Sequence, residues 1–229
     1  MSSESPRKLA DVESVLSERR KRMANTPFVR ALNVASTVEE VRAFAGHLTF
    51  YVLAFQDVLR LVDTLVKDPQ IHGIVHRHWR EDKGHEQWFL HDAAVLQCER
   101  SLTWVFGPEH ELPRDISYQL IAEVIRAQDD RERLVMPLVL EAVGAEFFGR
   151  VIAALDRAGF DGSLRYFGRH HQQVEADHDI FTASSHSEMA ALPFDFLTYE
   201  RTLAMVHRSF DALERLAAHL EVHRSRAGG

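Results

Sequence analysis

Long apolar stripes at helical spacing, cut by few turn-forming residues, leave this chain little choice but an assembly of helices. Eleven glycines and seven prolines punctuate 229 residues, and strand-like alternation is nearly absent. The punctuation predicts about seven helices. The first runs from about Leu9 to Met23 and is broken by Asn25-Thr26-Pro27, with a short segment Phe28 to Leu32 behind it. Thr37 is a good N-cap, and Glu40 three residues later completes a capping box; that helix runs to about Val66. Asp68-Pro69 starts a third helix, predicted from Gln70 to Arg100. Further helices follow from about Asp115 to Ala127, Arg131 to Ala158, Ser163 to Ser184 and Phe194 to His223. Long helices joined by short loops predict an all-α, single-domain, up-and-down bundle over 1–229, with residues 1–8 and 224–229 as loose ends.

Composition narrows the partners. Hydrophobic residues make up 45 % of the chain, enough for a sizeable core. The formal net charge is -7, which argues against a nucleic-acid partner. The densest positive run, Arg19-Arg20-Lys21-Arg22, lies beside Glu13 and Glu18 and reads as a solvated helix face. Cys98 is the one cysteine, so neither a disulfide framework nor a cysteine-type zinc site is expected. Without a secretory signal or a membrane-length apolar run, the chain reads as cytoplasmic, with no membrane partner.

Histidine is the oddity, at 14 residues. In the sixth helix, His171, Glu175 and His178 stand at i, i+4 and i+7, within roughly 60° of one another around the helix. Two imidazoles and a carboxylate on one stripe suit a first-row transition metal. In the third helix, Glu81 and His85 are one turn apart, with Trp88 and Asp92 on the same stripe and Gly84 mid-helix at a cost of about 1 kcal/mol. His78 lies near that stripe as a spare candidate, whereas Asp82 and His91 lie off it. In the fifth helix, Glu141 is flanked at helical spacing by Leu134, Pro137, Leu138, Gly144, Ala145 and Phe148. A carboxylate on such a stripe is expected to be buried, and then needs a metal, a cation or a proton. Glu146 is expected to face solvent. Phe44, His47, Tyr51 and Phe55 share one face of the second helix, as core or as lining on the substrate side. Three helices presenting carboxylates and imidazoles are how bundles build carboxylate-bridged metal pairs.

At these residues the sequence resembles the haem-oxygenase-like di-metal oxidases, a superfamily of seven-helix proteins. Asn25 to Leu32 with Val41-Arg42-Ala43-Phe44-Ala45 is similar to the family's opening, and the Glu81 to Trp88 segment to its first ligand helix. Leu140-Glu141-Ala142 resembles the next ligand segment, and His171, Glu175, His178 the third, where the family more often has Asp in the middle. The resemblance implies Glu81, His85, Glu141, His171, Glu175 and His178 as ligands, with His91 a minor alternative to His85. It further implies two iron ions, or an iron–manganese pair, with dioxygen as co-substrate. The substrate would be an amine, amino acid or fatty-acid-like molecule, and members of this kind often assemble the metal pair only with substrate present. Asp92, Trp88, His47, Tyr51 and Phe55 are weaker candidates near the site. A homodimer and an external electron donor are left open. So are three other readings. One is a cofactorless or thiaminase-type enzyme, although Leu96-Gln97-Cys98-Glu99 does not look like that nucleophile motif. The others are a haem protein using His47 or another early-helix histidine as axial ligand, and a non-enzymatic scaffold whose polar clusters are salt bridges.

Overall fold

The computed structural model describes residues 7–35, 37–160, 163–176, 189–190 and 192–227; at 175 and 176 it describes the backbone alone. The chain is all-α. Its helices are α1 (Leu9–Ala24), α2 (Pro27–Leu32), α3 (Val38–Ala45), α4 (Thr49–Leu65), α5 (Pro69–Asp82), α6 (His85–Val95), α7 (Leu102–Val105), α8 (Glu111–Arg126), α9 (Asp130–Arg157), α10 (Arg169–Ala176) and α11 (Phe196–Ala227). Two short strands, β1 (Arg7–Lys8) and β2 (Pro193–Phe194), pair antiparallel and tie the start of α1 to the start of α11. Among the described residues, no helix is long and apolar enough to cross a membrane.

Helix starts follow their side-chain chemistry. Thr37 Oγ1 accepts from the Glu40 amide at 3.2 Å while the Glu40 carboxylate accepts from the Thr37 amide, so α3 opens on a full capping box. Asp68 accepts from the amides of Gln70 and Ile71 ahead of α5. Two helices expected to be continuous are not. A 3-10 turn, Gly46–Leu48, separates α3 from α4. The expected Gln70–Arg100 helix breaks at Lys83-Gly84 and ends at Val95. Gly84 sits at φ +104, which a Cβ would oppose, and its amide donates to the Glu86 carboxylate at 3.0 Å. The sixth expected helix starts at Arg169 rather than Ser163.

α4 packs against α5, α6, α8 and α9, and α11 lies across α1, α2, α3, α8 and α9. Between them runs a continuous apolar core that includes Phe28, Phe44, Phe89, Leu140, Phe210 and Leu213. Buried acids on α8 and α9 are met by α11 arginines: Arg208 reaches Glu123 at 2.7 Å and Arg201 reaches Glu132 at 2.7 Å. Arg224, near the end of α11, pairs with Glu40 on α3 and with Glu221. Glu146 does not face solvent as expected; it pairs with Arg20 at 2.5 Å and Arg150 at 2.7 Å.

Candidate metal centre

α5 and α9 pack side by side and bring His78, Asp82 and Glu141 together. All three are buried, at 1 %, 3 % and 7 % exposure. His78 Nε2 lies 2.8 Å from Glu141 Oε1 and 3.1 Å from Asp82 Oδ2. Past the break, His85 opens α6, and its Nδ1 lies 3.1 Å from Asp82 Oδ1 and 3.2 Å from His171 Nε2 of α10. Asp82 therefore turns one carboxylate oxygen to His78, in a cluster with Glu141, and the other to His85, which in turn meets His171.

The hydrogen bonds fix which nitrogens carry protons. The Tyr166 carbonyl can only accept, so His171 Nδ1 donates to it, at 2.8 Å. That leaves Nε2 facing the site, the nitrogen a ligand would use. In the metal-free protein the His85 Nδ1–H faces two acceptors, Asp82 Oδ1 and His171 Nε2. The His78 Nε2–H points to Glu141 Oε1, while Asp82 Oδ2 lies 3.1 Å away without a hydrogen bond. Tyr166 stacks on His171 with ring centroids 4.8 Å apart, Phe148 meets it edge-on at 4.4 Å, and Trp88 stacks on His85 at 4.3 Å.

A pocket of about 890 Å³, counted out to its mouth, opens beside these groups. Asp82, His85, Glu141 and His171 form its polar end, and Leu48, Phe55, Phe147, Leu213 and Leu216 are among its apolar walls. Tyr51 also lines it. Burial, and then the nearby Glu141 carboxylate, push its phenol well above the ordinary range, so it stays protonated.

Of the six ligands expected from sequence, the structure brings His85, Glu141 and His171 together. Glu81 is half-buried, one residue before Asp82. The side chain of Glu175 and the whole of His178 lie outside the described residues. Sequence reasoning set Asp82 aside and kept His78 only as a spare, because it carried one helical phase through Gly84. The positive φ at Gly84 ends that phase, and Asp82 comes to face both His78 and His85. Among the weaker candidates, Tyr51 and Phe55 line the pocket, and Trp88 packs on His85 without lining it. Asp92 accepts from the amides of Arg165 and Phe167, bracing the loop that carries Tyr166. His47 is not among the residues lining this pocket: the 3-10 turn at Gly46–Leu48 shifts its phase relative to Tyr51 and Phe55, and it joins a separate histidine cluster. Phe44 is wholly buried against Phe28 and Phe147. No family model matches the chain, and none of the curated proteins is similar to it.

Proposed function

We propose that this chain is a non-haem di-iron oxidase or oxygenase of haem-oxygenase-like architecture, oxidising a small organic substrate at the Asp82 site. The observation that carries the reading is the carboxylate of Asp82, which lies against the buried His78 and Glu141 through one oxygen and against His85, itself in contact with His171, through the other. The spacing fits the group. Ions bound octahedrally at about 2.1 Å hold neighbouring ligand atoms about 3.0 Å apart, and the four contacts here run from 2.8 to 3.2 Å. Two carboxylates are buried there, and a divalent cation would offset the cost of their charge. Mixed oxygen and imidazole donors suit iron, or an iron–manganese pair. Glu175 and His178 follow His171 at ligand spacing in the sequence and complete the proposed set.

Two ferrous ions held there would give two electrons to dioxygen, and the remaining electrons would come from the substrate as it is oxidised or from an external donor. The chain's own residues do the rest. Asp82 spaces the two sites, and the Tyr166 carbonyl fixes the His171 ring. Leu48, Phe55, Phe147 and Leu216 exclude water and accept the apolar body of an amine, amino acid or fatty-acid-like substrate. Tyr51 keeps a hydroxyl proton beside Glu141 and can donate a hydrogen bond within the pocket.

The test is an anaerobic Fe(II) titration followed by exposure to oxygen, with amines, amino acids and fatty acids as candidate substrates. Wild type is expected to bind two ions per chain and to consume oxygen with a substrate present. Asp82→Asn should lose both, with Fe(II) affinity down by more than about 100-fold. Unchanged Fe(II) binding in Asp82→Asn, or no Fe(II) binding in wild type, overturns the proposal.

A further inference from the structure

The second concentration of titratable groups lies where α3 meets α4, and it is built almost wholly of histidine. His47 sits in the 3-10 turn between those helices, and His110 ends the short turn before α8. His219 and His223 stand one turn apart on α11. Ligand nitrogens of His47, His219 and His223 all fall within 4.8 Å of one another. His110 stacks on His47 with ring centroids 4.4 Å apart. It is 1 % exposed, and neither of its ring nitrogens has a hydrogen-bond partner. A buried imidazole with nothing to bond is costly unless something else occupies its lone pair.

We propose that His47, His219 and His223, with His110 beside them, form a second metal site that takes a borderline transition dication such as Zn2+, separate from the Asp82 centre. An all-imidazole donor set selects zinc, copper, nickel or cobalt over magnesium, calcium or manganese. The spacing differs from that of the Asp82 site in the matching direction. A tetrahedral ion at about 2.1 Å sets its ligand atoms about 3.4 Å apart, and His47 Nδ1 stands 3.4 Å from His219 Nε2. That length is long for a hydrogen bond but suits a shared ion. The rings are also in the protonation state a ligand needs. Burial, then the neighbouring His223 and His110, lower His47 to about 3, and burial with His223 and His110 lowers His219 to about 4.

The surroundings hold the rings in place. Trp104 packs on His110 with centroids 3.8 Å apart and on His47 at 5.3 Å. Gly46 makes that wall possible, since a Cβ there would lie 2.8 Å from Trp104 Cη2. Arg224, the residue after His223, pairs with Glu40 on α3. His219 and His223 are half-exposed, which leaves an ion a way in from solvent. An ion bound here would pin the last turns of α11 to the α3–α4 junction. Leu48, Leu216 and Leu220, neighbours of these histidines in sequence, line the substrate pocket.

Co2+ titration of the full chain tests the site, because tetrahedral Co2+ absorbs in the visible and octahedral Co2+ barely does. Wild type should show the tetrahedral band, and Asp82→Asn should keep it. His219→Gln and His223→Gln should each lose it, with that binding weakened by more than about 100-fold. A band that survives both glutamine variants, or no band in wild type, overturns the proposal. If either variant loses its far-UV circular dichroism, pulsed EPR of Cu2+-loaded Asp82→Asn decides. Coupling to three imidazoles supports the site and coupling to fewer overturns it.

Discussion

Replacing Asp92 with alanine should weaken both the fold and the metal centre, although Asp92 touches no proposed ligand. It is fully buried on α6, two turns beyond His85. One carboxylate oxygen accepts from the Arg165 amide at 2.8 Å and the other from the Phe167 amide at 2.8 Å. Between those amides sits Tyr166, whose carbonyl holds His171 Nδ1 at 2.8 Å. Hydrogen bonds to a charged partner contribute about 1.5–3 kcal/mol each, so losing two costs roughly 3–6 kcal/mol. Residues 163–166 reach solvent in part and can relax, so about 3 kcal/mol is the expected loss in urea unfolding at constant slope. Asp92→Asn should lose about half as much, since its amide group turns a donor toward one of the two N–H groups. With the Tyr166 carbonyl released, Fe(II) affinity should fall 10–100-fold, the usual effect of losing an outer partner. A stability change under about 1 kcal/mol would refute the bracing argument. A large stability loss with unchanged Fe(II) affinity would refute the link to His171 and leave the brace standing.

Two further predictions follow from other parts of the structure. Gly84→Ala should destabilise by about 1–3 kcal/mol, since nothing crowds the position and the whole effect is the positive φ; were α5 and α6 one helix, the same change would stabilise by about 1 kcal/mol, so the sign of the thermal shift decides. At Cys98, burial pushes the thiol up, further than the neighbouring Arg42 and Arg100 charges lower it, so little thiolate exists at pH 8. Iodoacetamide should therefore react with the native chain at least about tenfold more slowly than with the urea-unfolded chain, and equal rates would revive a cysteine nucleophile.

Much of the helix pattern was legible because its signals are local. Thr37 with Glu40 and Asp68 before Pro69 announce helix starts through side chains that cap amides two or three residues on. Glu141 was legible for a related reason: its own helical neighbours are apolar, so its burial follows from the helix alone. Asp82 was not, because its role depends on where helical phase ends. The signal was present in Gly84, a mid-helix glycine that costs stability unless its conformation is used. Read as a break, it pairs His78 with Asp82 at i+4 and brings Asp82 to His85 across the turn. The histidine cluster was beyond local reasoning altogether, since His47 and His219 are 172 positions apart. Only the i, i+4 spacing of His219 and His223 could have raised it.

How the chain treats its buried acids separates scaffold from site. Glu123 is met by Arg126 and Arg208, Glu132 by Arg201, and Glu40 by Arg224. A guanidinium keeps its proton at any physiological pH and offers no lone pair, so such pairs can only be structural. Asp82 and Glu141 are met instead by His78 and His85. An imidazole can give up the proton that satisfies the carboxylate and bind the cation that replaces it. On the proposed function, the cost of burying two carboxylates is met by partners that can be exchanged for metal ions. The same reasoning sets the Asp82 site apart from the His47 cluster. One joins carboxylates to imidazoles at octahedral spacing, which favours ions that change oxidation state and coordination during turnover. The other gathers imidazoles alone, which favours an ion that stays where it is bound.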